Sequence, residues 1–169
     1  MFQNITLILS IIGTLGTIYS IAYNIITSRV NIAAQIKFID YRKPYLFGYI
    51  IVENSSNSTV SISNIELIIN GKHYFFINHP HLVNHNLSKF NGHENYYDDY
   101  TAQIPFTLST YGALGGYFLS ISSDTSINLD TIGILRIGTN RNKIIEIEIP
   151  LCDIPRQEST LFPQSNNHH

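Results

Sequence analysis

The side chains with most capacity for chemistry fall in one stretch. His79, His81, His85 and His93, with Glu94, Asp98 and Asp99, form the one cluster of potential metal ligands, and imidazole with carboxylate suits zinc. The spacing matches no established zinc signature and contains no HExxH. The preferred reading is exposed histidines in an Asn-rich segment, and a metal-dependent enzyme built on the His79–His93 loop is an alternative. Overlapping that cluster, Asn95-Tyr96-Tyr97-Asp98-Asp99-Tyr100 sets three tyrosines beside two acids. A phenol offers a large apolar area with a polar tip and is favoured at recognition surfaces, so Tyr96, Tyr97, Asp98, Asp99 and Tyr100 are the expected protein-binding patch. No residue is assigned a catalytic role and no cofactor is expected. Ser, His and Asp are abundant, but no G-x-S-x-G elbow surrounds any of them. Gly112-Ala113-Leu114-Gly115-Gly116 lacks the Lys-Ser/Thr and the helix of a phosphate loop, and reads as a tight crossing between strands. The single cysteine, Cys152, excludes an intramolecular disulfide framework and reads as a small residue closing the last strand.

Asn78 to Tyr100 reads as an irregular connection, of the length at which function concentrates in loops. The segments around it must hold it in place, and they alternate with a period of two. Val30, Ile32, Ala34, Ile36 and Phe38 share one face, which predicts a first strand. Tyr45 to Glu53 is a run of aromatic and β-branched residues and predicts a second. After the polar turn Asn54 to Thr59 comes Val60 to Ile69, followed by Asn70-Gly71, the pair best suited to the positive φ angles of a type I′ turn, and then Lys72 to Ile77. Val60 and Ile62 are out of phase with Ile65, Leu67 and Ile69, which predicts a bulge near Ser63 and Asn64. Ala102 to Ser109, Tyr117 to Ser122, Ile132 to Gly138 and Lys143 to Ile149 complete the expected strands. Pro150 to His169 is polar and reads as a disordered tail.

At the other end, Ile5 to Thr27 contains no Asp, Glu, Lys, Arg or His and has the length of a helix that crosses a bilayer. It is expected to be a transmembrane anchor. Its hydroxyls can bond back to helical carbonyls, and Gly13, Gly16, Thr17 and Ser20 form a small-residue strip for packing against a second helix. Ser20-Ile21-Ala22 would suit signal-peptide cleavage, but the charged n-region is missing from Met1 to Asn4. Arg29, Lys37, Arg42 and Lys43 all follow the segment, so the positive-inside tendency predicts a cytoplasmic C-terminal domain in a single-pass cell-membrane protein. The net charge of −2 and the 13% of charged residues, against about 25% in a typical protein, argue against a nucleic-acid partner.

The strand, Asn-Ser turn, strand and Asn-Gly order from Tyr49 to Gly71 resembles the β-sandwich domains of small single-pass membrane proteins of low-GC Gram-positive bacteria and their mobile elements. Ile104-Pro105-Phe106-Thr107-Leu108 followed by Tyr111 to Phe118 is similar to a strand, Gly-rich crossing and strand in immunoglobulin-like accessory domains. The resemblance implies an antiparallel immunoglobulin-like sandwich, which the turn spacing sizes at about 7–8 strands. It also implies a role such as phage exclusion or phage defence. The expected organisation is an anchor over 1–28, a sandwich over 29–150 and a tail over 151–169. The expected function is that of a non-enzymatic, membrane-tethered interaction protein with the lipid bilayer and an unidentified protein as partners. A helix-driven membrane effector, oligomeric through its helix as a pore or toxin with the sandwich as sensor, is a further alternative.

Overall fold

The computed structural model describes residues 2–27, 29–90 and 93–156, except for the side chains of 2–9, 24, 26, 27, 85–90, 93 and 95. Its centre is built from the most regularly apolar strands. Val60–Ile69 (β3) pairs antiparallel with Ile132–Thr139 (β9) and Lys72–Phe75 (β4), while Ile144–Pro150 (β10) adds to β9 and Phe106–Leu108 (β7) pairs with β3. Together these strands make one sheet. Ile32–Arg42 (β1), Tyr45–Asn54 (β2) and Ala113–Ile121 (β8) make a second sheet in the order β1-β2-β8. Ile36, Leu46, Ile50 and Val52 of one sheet and Ile62, Ile65, Leu67, Leu135 and Ile137 of the other belong to a single buried cluster, so the sheets pack face to face as a sandwich.

Local sequence explains much of this. Asn70 and Gly71 adopt φ of 50° and 76°, the left-handed pair that a type I′ turn requires, and join β3 to β4. The β3–β9 register shifts between Ile62 and Asn64. That extra residue returns Ile62 and Ile65 to the same buried face, at 0% and 1% exposure. Gly115 and Gly116 stand opposite Ile51 and Ile50 within β8 rather than in a crossing turn. Their missing side chains make room for neighbours: a Cβ on Gly115 would lie 2.7 Å from the Tyr49 hydroxyl, and one on Gly116 would lie 2.9 Å from the Ala102 Cβ.

Three expectations are corrected. Phe2–Thr27 is indeed a helix (α1), but among the described residues no helix is long and apolar enough to cross a membrane. The transmembrane anchor in the expected fold class is therefore overturned. Ser10, Gly13, Thr14, Gly16, Thr17 and Ser20 recur every one to three positions and break up the apolar surface. The hydroxyl back-bonding does occur, from Thr14 to the Ser10 carbonyl at 2.8 Å and from Thr17 to that of Gly13 at 2.9 Å. The expectations of a bilayer partner, a single-pass placement and a helix-mediated oligomer depend on that span and lose its support.

Second, the irregular connection contains a hairpin, Leu82–Phe90 (β5) paired with His93–Tyr100 (β6), which raises the described strands to ten. Third, the sandwich continues past Pro150. Leu151 begins a short 3-10 turn and is fully buried, the Leu151 N–H donates to the Thr131 carbonyl at 2.9 Å, and the Ile39 N–H reaches the Pro155 carbonyl at 3.3 Å. Cys152 is exposed in that turn rather than at the end of a strand. Residues 157–169 of the expected tail lie outside the described residues.

Candidate functional site

The β5–β6 hairpin forms a sheet of its own, outside both layers of the sandwich. A two-stranded ribbon is marginal in water unless one end is packed, and here the base is packed. Val83 is 1% exposed and meets Phe47 and Leu119 on the face of the β1-β2-β8 sheet that points away from the main core, with Phe38, Tyr45, Ile77 and Tyr117 around them. Phe38 lies 6.1 Å from Tyr117 and 6.2 Å from Phe47 between ring centres, and Tyr49 meets Tyr117 edge-on at 5.1 Å. Thr101 closes the neck. The Thr101 N–H donates to the His81 carbonyl at 2.9 Å, and its hydroxyl accepts the His81 N–H at 2.8 Å and donates to the His79 carbonyl at 3.3 Å. Ala102 then crosses the space left by Gly116.

Beyond this base β6 presents the expected patch. Alternation along the strand puts Glu94, Tyr96, Asp98 and Tyr100 on one face and Tyr97 and Asp99 on the other. Tyr96, Tyr97 and Tyr100 are 60%, 56% and 52% exposed. On the first face the hydroxyl of Tyr96 donates to Glu94 Oε2 at 3.1 Å and that of Tyr100 to Asp98 Oδ2 at 3.5 Å, a repeating carboxylate-phenol stripe. On the other, Asn84 Nδ2 donates to Asp99 at 3.2 Å. The Tyr117 hydroxyl is held above its ordinary pKa first by burial, then by the negative charge of Asp99 and the nearby Tyr49. The structure thus brings together most of the patch but splits it between two faces. Tyr117 and Val83 were not expected to belong to this region, and the alternating phenols at Tyr45, Tyr49 and Tyr117 are the signal that could have found its base.

The alternative metal site is spread out. His85 stands opposite Asp98 and His93 opposite Phe90. Five residues of extended chain separate His85 from Phe90, about 17 Å at some 3.4 Å per residue, far beyond the reach of one ion's ligand shell. His79 and His81 serve the neck through their backbone. Among the described residues no group of three or more His, Cys, Asp or Glu is placed to hold a metal. In α1, Gly13 and Gly16 have nothing within 4 Å of where a Cβ would sit, and Thr17 and Ser20 are exposed.

No family model matches this chain, and no curated protein matches it. Among solved structures it is similar to the sporulation control protein Spo0M of Bacillus subtilis, with 10% identity and a TM-score of 0.34 over 77% of this chain. The match spans 50% of that protein's length.

Proposed function

We propose that the protein is a non-enzymatic β-sandwich interaction module, and that the β5–β6 arm is the surface that meets a protein partner. The observation that carries this reading is the contrast within the arm: its base is packed into the sandwich through Val83, while Tyr96, Tyr97 and Tyr100 on β6 are each more than half exposed. Large rings held on an anchored strand lose little conformational freedom on binding, so they contribute contact area at low entropic cost. The carboxylates of Glu94 and Asp98 fix the Tyr96 and Tyr100 hydroxyls from the same face, which further orders the surface before it meets anything. Among the described residues both strands of the arm pair only with one another, so each has an outer backbone edge to which an extended segment can add.

The test is capture from the native host with the full chain as bait, comparing the unaltered protein with a variant carrying Tyr96→Ser, Tyr97→Ser and Tyr100→Ser. The expected outcome is a specific partner that the variant loses while its thermal midpoint stays unchanged. A partner retained at full strength by the variant removes the arm as the contact surface.

A further inference from the structure

At the end of the second sheet where β1 begins and β2 finishes lies a cleft of about 590 Å³, which Tyr23 of α1 also lines. Among the described residues its lining carries two cations, Arg29 and Lys143, and no carboxylate. Among the described residues neither cation makes an ion pair. Lys143 Nζ donates to the Val30 carbonyl at 2.5 Å, which orients the ammonium and leaves two of its three N–H donors open. The lysine is delivered by a tight turn, in which the Asn142 N–H donates to the Thr139 carbonyl at 3.2 Å with Asn142 at a φ of 54°.

The neutral part of the lining is also prepared. Tyr111 is 71% exposed and holds a φ of 54°, a left-handed conformation uncommon for a bulky residue. Behind it Asn54, 1% exposed, ties the two loops of the cleft together. The Asn54 N–H donates to the Gly112 carbonyl and its side-chain amide donates to the Ser58 and Ser109 carbonyls, each at 2.8 Å, while the Ser56 N–H donates to Asn54 Oδ1 at 3.0 Å. Exposed Ser55, Asn57 and Asn31 add hydroxyl and amide donors on that fixed floor.

We propose that this cleft binds a phosphoryl group, carried either by a free phosphate compound or by a phospholipid headgroup. The planar fork of Arg29 suits two oxygens of one tetrahedral anion, and Lys143 supplies a point charge to a third. Hydroxyl and amide donors at Tyr111, Ser55 and Asn57 complete a set that contains no competing acid. The site is separate from the tyrosine arm and independent of what the arm binds.

The test uses the full chain and two probes. Inorganic phosphate, against chloride at equal ionic strength, is followed by calorimetry and by the thermal midpoint. Vesicles of phosphatidylcholine with phosphatidic acid, against phosphatidylcholine alone, are followed by co-sedimentation. Saturable phosphate binding assigns a free compound, sedimentation that requires phosphatidic acid assigns a headgroup, and either supports the site. Arg29 is exposed, so Arg29→Gln keeps the fold and is expected to weaken the positive probe about tenfold or more, as loss of a charge-assisted contact does. Lys143→Gln is expected to act alike with circular dichroism unchanged, and Lys37→Gln, outside the cleft, to have no effect. No response to either probe, equal sedimentation with both vesicle types in the absence of a phosphate response, or a response that Arg29→Gln leaves intact overturns the proposal.

Discussion

β3 and β6 are both antiparallel strands, and different forces hold them. In β3 Ile62, Ile65, Leu67 and Ile69 are at most 2% exposed, and the strand has neighbours on both sides, β4 and β7 on one and β9 on the other. In β6 four of the five side chains described from Tyr96 to Tyr100 are exposed, and among the described residues the strand has one partner. Removal of apolar surface from water stabilises the first at about 25 cal/mol per Å². The second depends on cross-strand pairing and on the buried foothold of Val83. A strand that owes its order to pairing can change its exposed side chains without unfolding the domain, which frees β6 to specialise in contact with another molecule.

The sharpest way to break this contrast is to cut into the sandwich. Leu67→Ala, at a fully buried position, is expected to cost about 2–5 kcal/mol of global stability, read by denaturant unfolding. A loss below 1 kcal/mol would mean that the shared core is not where the stability lies. Val83→Ala removes the foothold of the arm and is expected to cost about 2 kcal/mol for its two buried carbons and the void they leave. That loss should be local: amide exchange across β5 and β6 speeds up while β3 and β9 keep their protection. Uniform acceleration would show the arm and the sandwich to be one cooperative unit.

A third measurement follows a phenol buried in the sandwich. Tyr74 is pushed up from 10.0 to about 12, first by burial, then by its hydrogen bond to Asp124 and the charges of Asp124 and Tyr41. Because the folded state holds this proton more tightly than the unfolded chain, the contribution is complete below pH 10, the ordinary phenol value, and is lost as pH rises from 10 toward 12. Tyr74→Phe is expected to flatten the stability profile across that interval, and an unchanged profile would place the effect elsewhere. The smallest effect belongs to the arm. Tyr96→Ala with Tyr100→Ala is expected to move stability by no more than about 0.5 kcal/mol while partner capture falls, and a larger loss would show that these rings support the fold.

The parts that could be read directly are those where neighbouring residues settle one another's conformation. Val60–Ile69 runs over the residues its alternation outlines, Asn70-Gly71 turns as its φ preferences require, and the bulge lies where the phase of the isoleucines changes. The tyrosines at 96, 97 and 100 were legible as a patch because their chemistry does not depend on which element carries them. The hairpin was not, since Asn, His, Ser and Asp through Leu82–Tyr100 give no apolar period and the packing of Val83 is a long-range event. The glycines of β8 misled in the same way, because their role is defined by Tyr49 and Ala102, which approach from elsewhere in the chain. Nor could spacing reveal that Arg29 and Lys143, more than a hundred positions apart, face one cleft. Periodicity and turn preference act over a few residues and therefore survive as pattern, whereas burial, strand partnership and the meeting of distant charges come into being only when the sheets close on one another.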